Sequence, residues 1–333
     1  MRRFFVSVIL ISSLLITGCF FQQKEYSDTR FLMDTLVKIT VYGQNQKALE
    51  TATTEAFNVF KSVADASDSY EEHLPDDLYT LNKKAGEGPF KVNPTLLDLL
   101  TKTEAFHHKE INLALGKVIA IWQAHGQTKT VPTKAEIQAA LLSTKSGAFT
   151  INETDGTVTL APQASLDLGA VAKGYGVEAA ANALKKHPEV ESALVNGGGN
   201  IKVIGTKKDG KPWRIGIQNP RDNKKLLGTL SLTANMAVAT SGDYQRYYEV
   251  DGVRYHHIID PATGFPARHT ISATAVTTSA YVADYYSTLL FILPTEEAIK
   301  LVESTDDLEA VIEDAQGKIY VSPGLKDKFS LAK

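Results

Sequence analysis

The sequence predicts an α+β fold: mixed or antiparallel sheets packed against helices, in two interleaved lobes. Three observations carry this. Turn signals at Asp155-Gly156, Asp251-Gly252 and Gly317 lie between short runs of β-branched or aromatic residues, which marks hairpins. Helical runs fall between these hairpins and not after every strand, so regular βαβ repetition is missing. The composition is ordinary for a globular chain, 43% hydrophobic and 22% charged over 333 residues, without internal repeats or low-complexity tracts. At about 150 residues per domain this length admits two lobes or one large domain, and no clean linker divides them.

The N-terminus reads as an export signal. Arg2 and Arg3 precede an apolar run from Phe4 to Ile16. That run is short for a membrane span, which needs roughly 20 residues, and fits a signal peptide over residues 1–18. It ends in Ile16-Thr17-Gly18-Cys19, which resembles a lipobox, where the cysteine is diacylated after cleavage. The plainer alternative is an ordinary signal peptide with Cys19 incidental. The expectation is therefore a lipid-anchored protein of the cell envelope, extracytoplasmic, with residues 19–29 as a polar tether and 30–333 as the folded domain. Cys19 is the only cysteine. A body without thiols has no internal disulfide, thiolate nucleophile or cysteine metal site, so any metal would sit on oxygen or imidazole. The net charge of −3 argues against a nucleic-acid partner.

Along the chain, Thr35 to Tyr42 alternates Val37, Ile39 and Val41 on one face, as a strand does. Residues 46–64 carry Leu49, Ala52, Ala56, Val59, Phe60 and Val63 at helical spacing. Residues 65–81, rich in Asp and Ser, read as a loop. Asn93-Pro94 starts a second helix, and Thr133 with Glu136 forms a capping box for a third. Residues 147–161 read as a hairpin. Short strands are expected at 193–195, 213–217, 226–232 and 270–277, and helices near 171–186, 279–293 and 295–304.

Four segments could carry chemistry. Ser165-Leu-Asp-Leu-Gly-Ala-Val-Ala-Lys-Gly-Tyr-Gly176 leads into an Ala-rich helix. Free N–H groups at such a helix start favour phosphate, and Lys173 adds a charge; the other reading is a plain tight turn. It matches neither GxGxxG nor GxxxxGK[ST]. Val195-Asn-Gly-Gly-Gly-Asn200 lets a ligand or another backbone approach closely, or is simply a turn. Thr240-Ser-Gly-Asp-Tyr-Gln-Arg-Tyr247 and the later His256-His257 pair supply hydroxyls, Asp243 and imidazoles. A His can move protons near neutral pH, yet often is structural, as His107-His108 reads. Alternation along a strand lets at most one of His256 and His257 face a cleft. Finally, Asp284, Ser287 and Thr288 stand at i, i+3 and i+4 of a helix. They suit Mg²⁺ or Ca²⁺ better than Zn²⁺. The bland alternative is hydroxyls bonded to the preceding turn and a solvated Asp284.

Taken together and in order, these segments resemble the ApbE family, the FAD:protein FMN transferases, over roughly residues 28–322. The carrying motifs are Met33-Asp34-Thr35, Leu166-Asp-Leu-Gly-Ala-Val-Ala-Lys-Gly174, Val195-Asn-Gly-Gly-Gly-Asn200, Ser241-Gly-Asp-Tyr244, His257-Ile-Ile-Asp-Pro-Ala-Thr-Gly264 and Ala283-Asp284 through Ser287-Thr288. The resemblance implies that Met33 and Tyr70 meet the flavin, and that Asp167, Lys173, His257 and Ile258 line the cofactor region. It implies a Mg²⁺ held by the Ala170 carbonyl, Asp284, Ser287 and Thr288. Lys109, Glu110, Ile111 and Asn112 fall where the family usually has Gly-Ala-Phe-Asp, so neutral Asn112 replaces a carboxylate at the cofactor, which Glu110, Ile111 and Asn112 are expected to contact. Ala262 stands where Arg is frequent. The implied reaction cleaves FAD with Mg²⁺, releases AMP and joins FMN to a Thr or Ser of an exported partner protein, with His257 or Asp243 assisting deprotonation. The rival readings are an FAD pyrophosphatase and a non-enzymatic flavin-binding lipoprotein.

Overall fold

The computed structural model describes residues 23–145, 147–207 and 209–332. The signal peptide and Cys19 lie outside the described residues. The chain opens with a hairpin, β1 (Lys24–Leu32) and β2 (Thr35–Gly43), followed by the long helix α1 (Gln46–Ser67). Then come α2 (Leu78–Lys83), β3 (Phe90–Lys91), α3 (Pro94–Glu104), α4 (Gly116–Thr128) and α5 (Lys134–Leu141). A hairpin of β4 (Phe149–Asn152) and β5 (Thr157–Leu160) precedes α6 (Ala172–Leu184). Strands β6 (Ser192–Gly197), β7 (Asn200–Ile204), β8 (Trp213–Asn219), β9 (Asp222–Leu232) and β10 (Ala237–Gly242) follow. The remainder is β11 (Tyr247–Val250), β12 (Val253–His256), β13 (Thr270–Thr277), α7 (Ala280–Ile292), α8 (Thr295–Ser304), β14 (Glu309–Asp314), β15 (Ile319–Val321) and β16 (Phe329–Leu331).

The central sheet runs β1-β2-β6-β7-β10-β13-β14-β15, and its paired strands are all antiparallel. Alternation assigns its two faces. Val37, Ile39, Val41, Ala237 and Ala239 pack with α1 and α6 residues such as Phe57, Phe60 and Val177. Ile201, Val203, Val238, Val276 and Val311 point the other way, onto the small sheet β16-β9-β8. Helix α7 lies on the helical face with Tyr285, Leu289 and Phe291 in a further core that includes α3 and Val158. The α+β architecture with antiparallel sheets is as the hairpin signals predict.

Two expectations are corrected, and one helix is added. The polar stretch through residue 29 is not all tether: Lys24–Leu32 pairs with β2 along its whole length, from Lys24↔Gly43 to Leu32↔Thr35. An edge strand has one exposed face and one free edge, so its polar residues conceal it. The Asp/Ser segment after α1 is shorter than 65–81, because α1 runs to Ser67 and Asp77 caps α2, accepting from the Thr80 amide at 2.8 Å. Helix α4 had no clear sequence signal; no side-chain cap marks its start.

Candidate active site

A cavity of about 590 Å³ opens at the end of the sheet where the β1–β2 and β6–β7 turns meet α6 and α7. That volume is typical of a small-molecule site. Met33 and Asp34, the central pair of the first turn, have φ of 49° and 57°. A two-residue hairpin turn of this hand needs positive φ at both positions and normally uses Asn-Gly; side chains with a Cβ pay about 1–2 kcal/mol each. Thr35 packs against Gly198 so closely that a Cβ there would collide with it, and Gly198 and Gly199 both have positive φ. The two turns therefore brace one another, and Met33 lines the cavity.

The phosphate-type segment is anchored before α6 begins. Asn82 brackets Leu166 with both atoms of its amide, at 2.7 and 2.9 Å, and the Asp167 amide donates to the Leu113 carbonyl at 2.8 Å. Helix α6 has no side-chain cap of its own. A remote carboxylate serves instead: Asp284 on α7 accepts from the Gly174 amide at 2.7 Å. Gly174 is required, because a Cβ would strike the Ala280 carbonyl and the Asp284 side chain. Lys173, its neighbour, lines the cavity.

Asp284 is only 4% exposed yet contributes to the cavity wall. Burial raises its carboxyl above the usual carboxylate range, while Lys173, the Gly174 N–H and Arg246 favour the charged form. Ala170 and Thr288 line the same cavity. Ser287 does not. It is fully buried, its Oγ donating to the Asp284 carbonyl at 3.0 Å and lying 2.9 Å from Ser241 Oγ. Helix geometry explains the split: at about 100° per residue, position i+4 lies about 40° from Asp284 and i+3 about 60° to the other side. Asp284 and Thr288 thus share the wall, and Ser287 turns back toward β10. No group of three or more His, Cys, Asp and Glu placed to hold a metal ion occurs among the described residues. The available donors are one carboxylate, one hydroxyl and the Ala170 segment. This set fits Mg²⁺, which typically takes one or two carboxylates and completes its shell with phosphate oxygens and water.

Of the histidine pair, His257 lines the cavity and His256 is buried, as strand alternation requires. His256 Nε2 bonds the Ala267 carbonyl at 2.8 Å, and burial pulls its pKa down to about 4. His257 Nδ1 sits 3.2 Å from the Arg246 carbonyl. A carbonyl only accepts, so Nδ1 carries the hydrogen and Nε2 is left to take a proton. Burial, then Arg246 and Lys173, hold this imidazole well below its usual pKa, so it is neutral near pH 7.

Asp243, the other candidate base, is corrected. It receives two bonds from Arg221, at 2.7 and 2.8 Å, and one from Arg254 at 3.4 Å, and it does not line the cavity. Its oxygens are engaged by these guanidinium groups away from the cavity, so it is not placed to reach a hydroxyl bound there. Tyr70 stands at the mouth, exposed along part of its length. Its hydroxyl donates to Asp167 at 3.1 Å and accepts from Gln123 at 2.7 Å, and burial with the Asp167 charge pushes its pKa up to about 12. Glu110, Ile111, Asn112 and Ile258 line the cavity as well. Asn112 is committed to the fold: its Oδ1 accepts from the Ala114 amide at 2.9 Å and its Nδ2 donates to the Thr144 carbonyl at 3.0 Å. A carboxylate could not make the second bond, which accounts for a neutral residue here. His108 is structural, bonded to the Tyr285 hydroxyl at 3.0 Å.

Arg246 and Asn200 also line the cavity, and sequence reasoning gave them no role. A signal for Arg246 existed. The Asp251-Gly252 hairpin pairs Tyr247 with His256, so residues 246 and 257 must emerge side by side.

This geometry can be set beside known proteins. The ApbE family model matches residues 33–312. The chain belongs to the ApbE family. An FAD:protein FMN transferase of Klebsiella pneumoniae is 31% identical, with 92% of this chain and 94% of that protein covered. One of Vibrio cholerae is 29% identical over 97% of this chain and 98% of its own length. Among solved structures, the ApbE protein of Thermotoga maritima superposes with a TM-score of 0.83 at 28% identity, covering 92% and 99%. The flavin transferase ApbE of Vibrio cholerae gives 0.78 at 27%, covering 92% and 100%. The family is one of transferases, and its fold is the one described above.

Proposed function

We propose that this chain is a Mg²⁺-dependent FAD:protein FMN transferase acting outside the cytoplasm. The observation that carries the reading is one cavity with two opposed chemistries. Asp284 and Thr288 offer hard oxygens on one wall, while Lys173, Arg246 and a neutral His257 face the same space. A diphosphate ester is the substrate class that uses all of them. When bound, Mg²⁺ neutralises phosphate charge and stabilises the leaving group.

The protein's residues do the rest. Met33, with Tyr70 at the mouth, forms the wall for an isoalloxazine ring. Lys173 and Arg246 offset the diphosphate charge and orient it. His257 Nε2 takes the proton from a Thr or Ser hydroxyl of the acceptor protein as its oxygen attacks the FMN-side phosphorus. A new P–O bond forms, the bond to the bridging oxygen breaks, and AMP leaves with that oxygen. Incubation with FAD, Mg²⁺ and an acceptor protein tests this: flavin fluorescence that survives denaturation should appear on the acceptor, with one AMP per adduct. AMP and free FMN without adduct would indicate a pyrophosphatase, and bound FAD without AMP a carrier.

The N-terminal reading belongs to the same proposal: Cys19 carries the lipid, and the enzyme meets exported partners at the envelope. Replacement of Cys19 by Ser should release the protein from membranes and abolish labelling by a fatty-acid analogue; retention of label would remove the anchor assignment.

A further inference from the structure

Lys202 is buried to 2% exposure on β7, where an ammonium is costly to place. Strand alternation turns Asn200, Lys202 and Ile204 toward the helices, while Ile201 and Val203 face the small sheet. The Lys202 Nζ donates to the Thr278 carbonyl just before α7 and lies 3.5 Å from Glu178 Oε2 on α6. Glu178 Oε2 in turn accepts from the Ala280 amide, in the first turn of α7, at 2.6 Å. Burial lowers the Lys202 pKa and Glu178 opposes that shift.

These contacts form a register lock. Gly174 bonds Asp284 and Glu178 bonds Ala280. Glu178 lies four residues after Gly174 on α6, and Ala280 lies four before Asp284 on α7. The two bonds are therefore one turn apart on both helices and run in opposite chain directions. Together they fix both the rotation and the slide of α7 against α6. Lys202 adds the central sheet as a third body. Lys202 is buried and Glu178 half-buried; ion pairs desolvated in this way are weak sources of net stability compared with apolar packing, so placement is the better account of this one.

We propose that Glu178 and Lys202 are positioning residues: they set the first turn of α7 and so hold the Asp284 carboxylate at the depth where it meets the cation and diphosphate. This rests on the assignment of Asp284 to the cation above. Neither side chain lines the cavity, so both act through α7.

The test compares two paired variants that both remove the Lys202 and Glu178 charges. Lys202→Met with Glu178→Gln keeps an acceptor for the Ala280 amide, and Lys202→Met with Glu178→Ala does not. The readouts are the Mg²⁺ concentration for half-maximal FAD binding, followed by flavin fluorescence, and amide exchange across residues 280–284 in ligand-free protein. The Ala-bearing pair should need about 10–100-fold more Mg²⁺, the usual range for groups that orient a metal ligand, and exchange faster. The Gln-bearing pair should stay near wild type, and kcat at saturating Mg²⁺ should change little in either. If the Ala-bearing pair does not fold, Glu178→Asp keeps a charge for Lys202 while withdrawing the acceptor, and should move both readouts the same way. Equal Mg²⁺ requirements in the two pairs, or in Glu178→Asp and wild type, overturn the proposal. Asp284→Asn run alongside separates the causes. If it leaves the Mg²⁺ requirement unchanged, the cation assignment itself is wrong and the proposal falls with it. If it shifts the requirement and the Ala-bearing pair does not, only the positioning role fails.

Discussion

Replacing Asp284 by Asn should uncouple the stability of the empty protein from that of the loaded one. The folded state raises this carboxyl above its ordinary value of 3.8. Folded protein therefore holds the proton more tightly than unfolded chain. Stability is highest below the unfolded pKa and falls as pH climbs through the raised folded pKa, by about 1.4 kcal/mol for every pH unit that separates the two. Above that window the ionised group is a standing penalty. Asn is nearly isosteric, its oxygen can still accept from Gly174, and it carries no charge. Ligand-free Asp284→Asn should thus melt no lower than wild type at pH 8. Loading tells the opposite story. FAD with Mg²⁺ at about 100 times Kd should stabilise wild type by about 2.7 kcal/mol. Roughly 300 ordered residues at about 2.1 cal/mol/K each give an unfolding entropy near 0.6 kcal/mol/K, so this is a rise of about 4 °C. In the variant the Mg²⁺-dependent part of that rise should vanish. Scanning fluorimetry with and without FAD and Mg²⁺ measures all four corners. An undiminished Mg²⁺ increment in Asp284→Asn, or a ligand-free Tm several degrees below wild type at pH 8, would refute the reasoning.

Three further outcomes are expected. His257→Gln should lower kcat by about 10²–10⁴, the range for general-base loss, with FAD affinity nearly kept. Because the imidazole is held well below pH 6.5, wild-type activity should be flat from pH 6.5 to 8 and fall only at lower pH; an acid limb centred above 6.5 in a pH–rate profile contradicts this. Gly198→Ala combines φ of +63° with a clash at Thr35, and should cost more than about 1 kcal/mol in urea unfolding and weaken FAD binding. Asp243→Asn removes a charge from the Arg221–Arg254 pair and should destabilise by about 1.5–3 kcal/mol while leaving the pH–rate profile in place; a shifted profile would restore Asp243 as a candidate base.

Period-2 and period-3.6 patterns made most of the frame readable. Val37, Ile39 and Val41 alternate because one sheet face is buried under α1. The turn pairs Asp155-Gly156 and Asp251-Gly252 sit where hairpins form. What stayed hidden depends on contacts distant in sequence. β1 is an edge strand and needs few apolar residues. The split between Ser287 and Thr288 depends on which way α7 is rotated, and that is set by α6 and Ser241. Asp243 looked like a free carboxylate because Arg221, 22 residues earlier, gives no local sign of reaching it. Arg246 was within reach of sequence logic, since pairing across one hairpin places it beside His257.

The braced turns at Met33-Asp34 and Gly198-Gly199 bear on how a large flexible dinucleotide is captured. Backbone held in a costly conformation by a neighbour cannot relax when the cavity empties, so that wall keeps its contour between turnovers. The entropy of shaping it is spent once, during folding, and not at each encounter. Tyr70 at the mouth is held by side-chain hydrogen bonds to Asp167 and Gln123 and not by backbone strain, so adjustment to the acceptor side falls to the mouth and not to the braced turns.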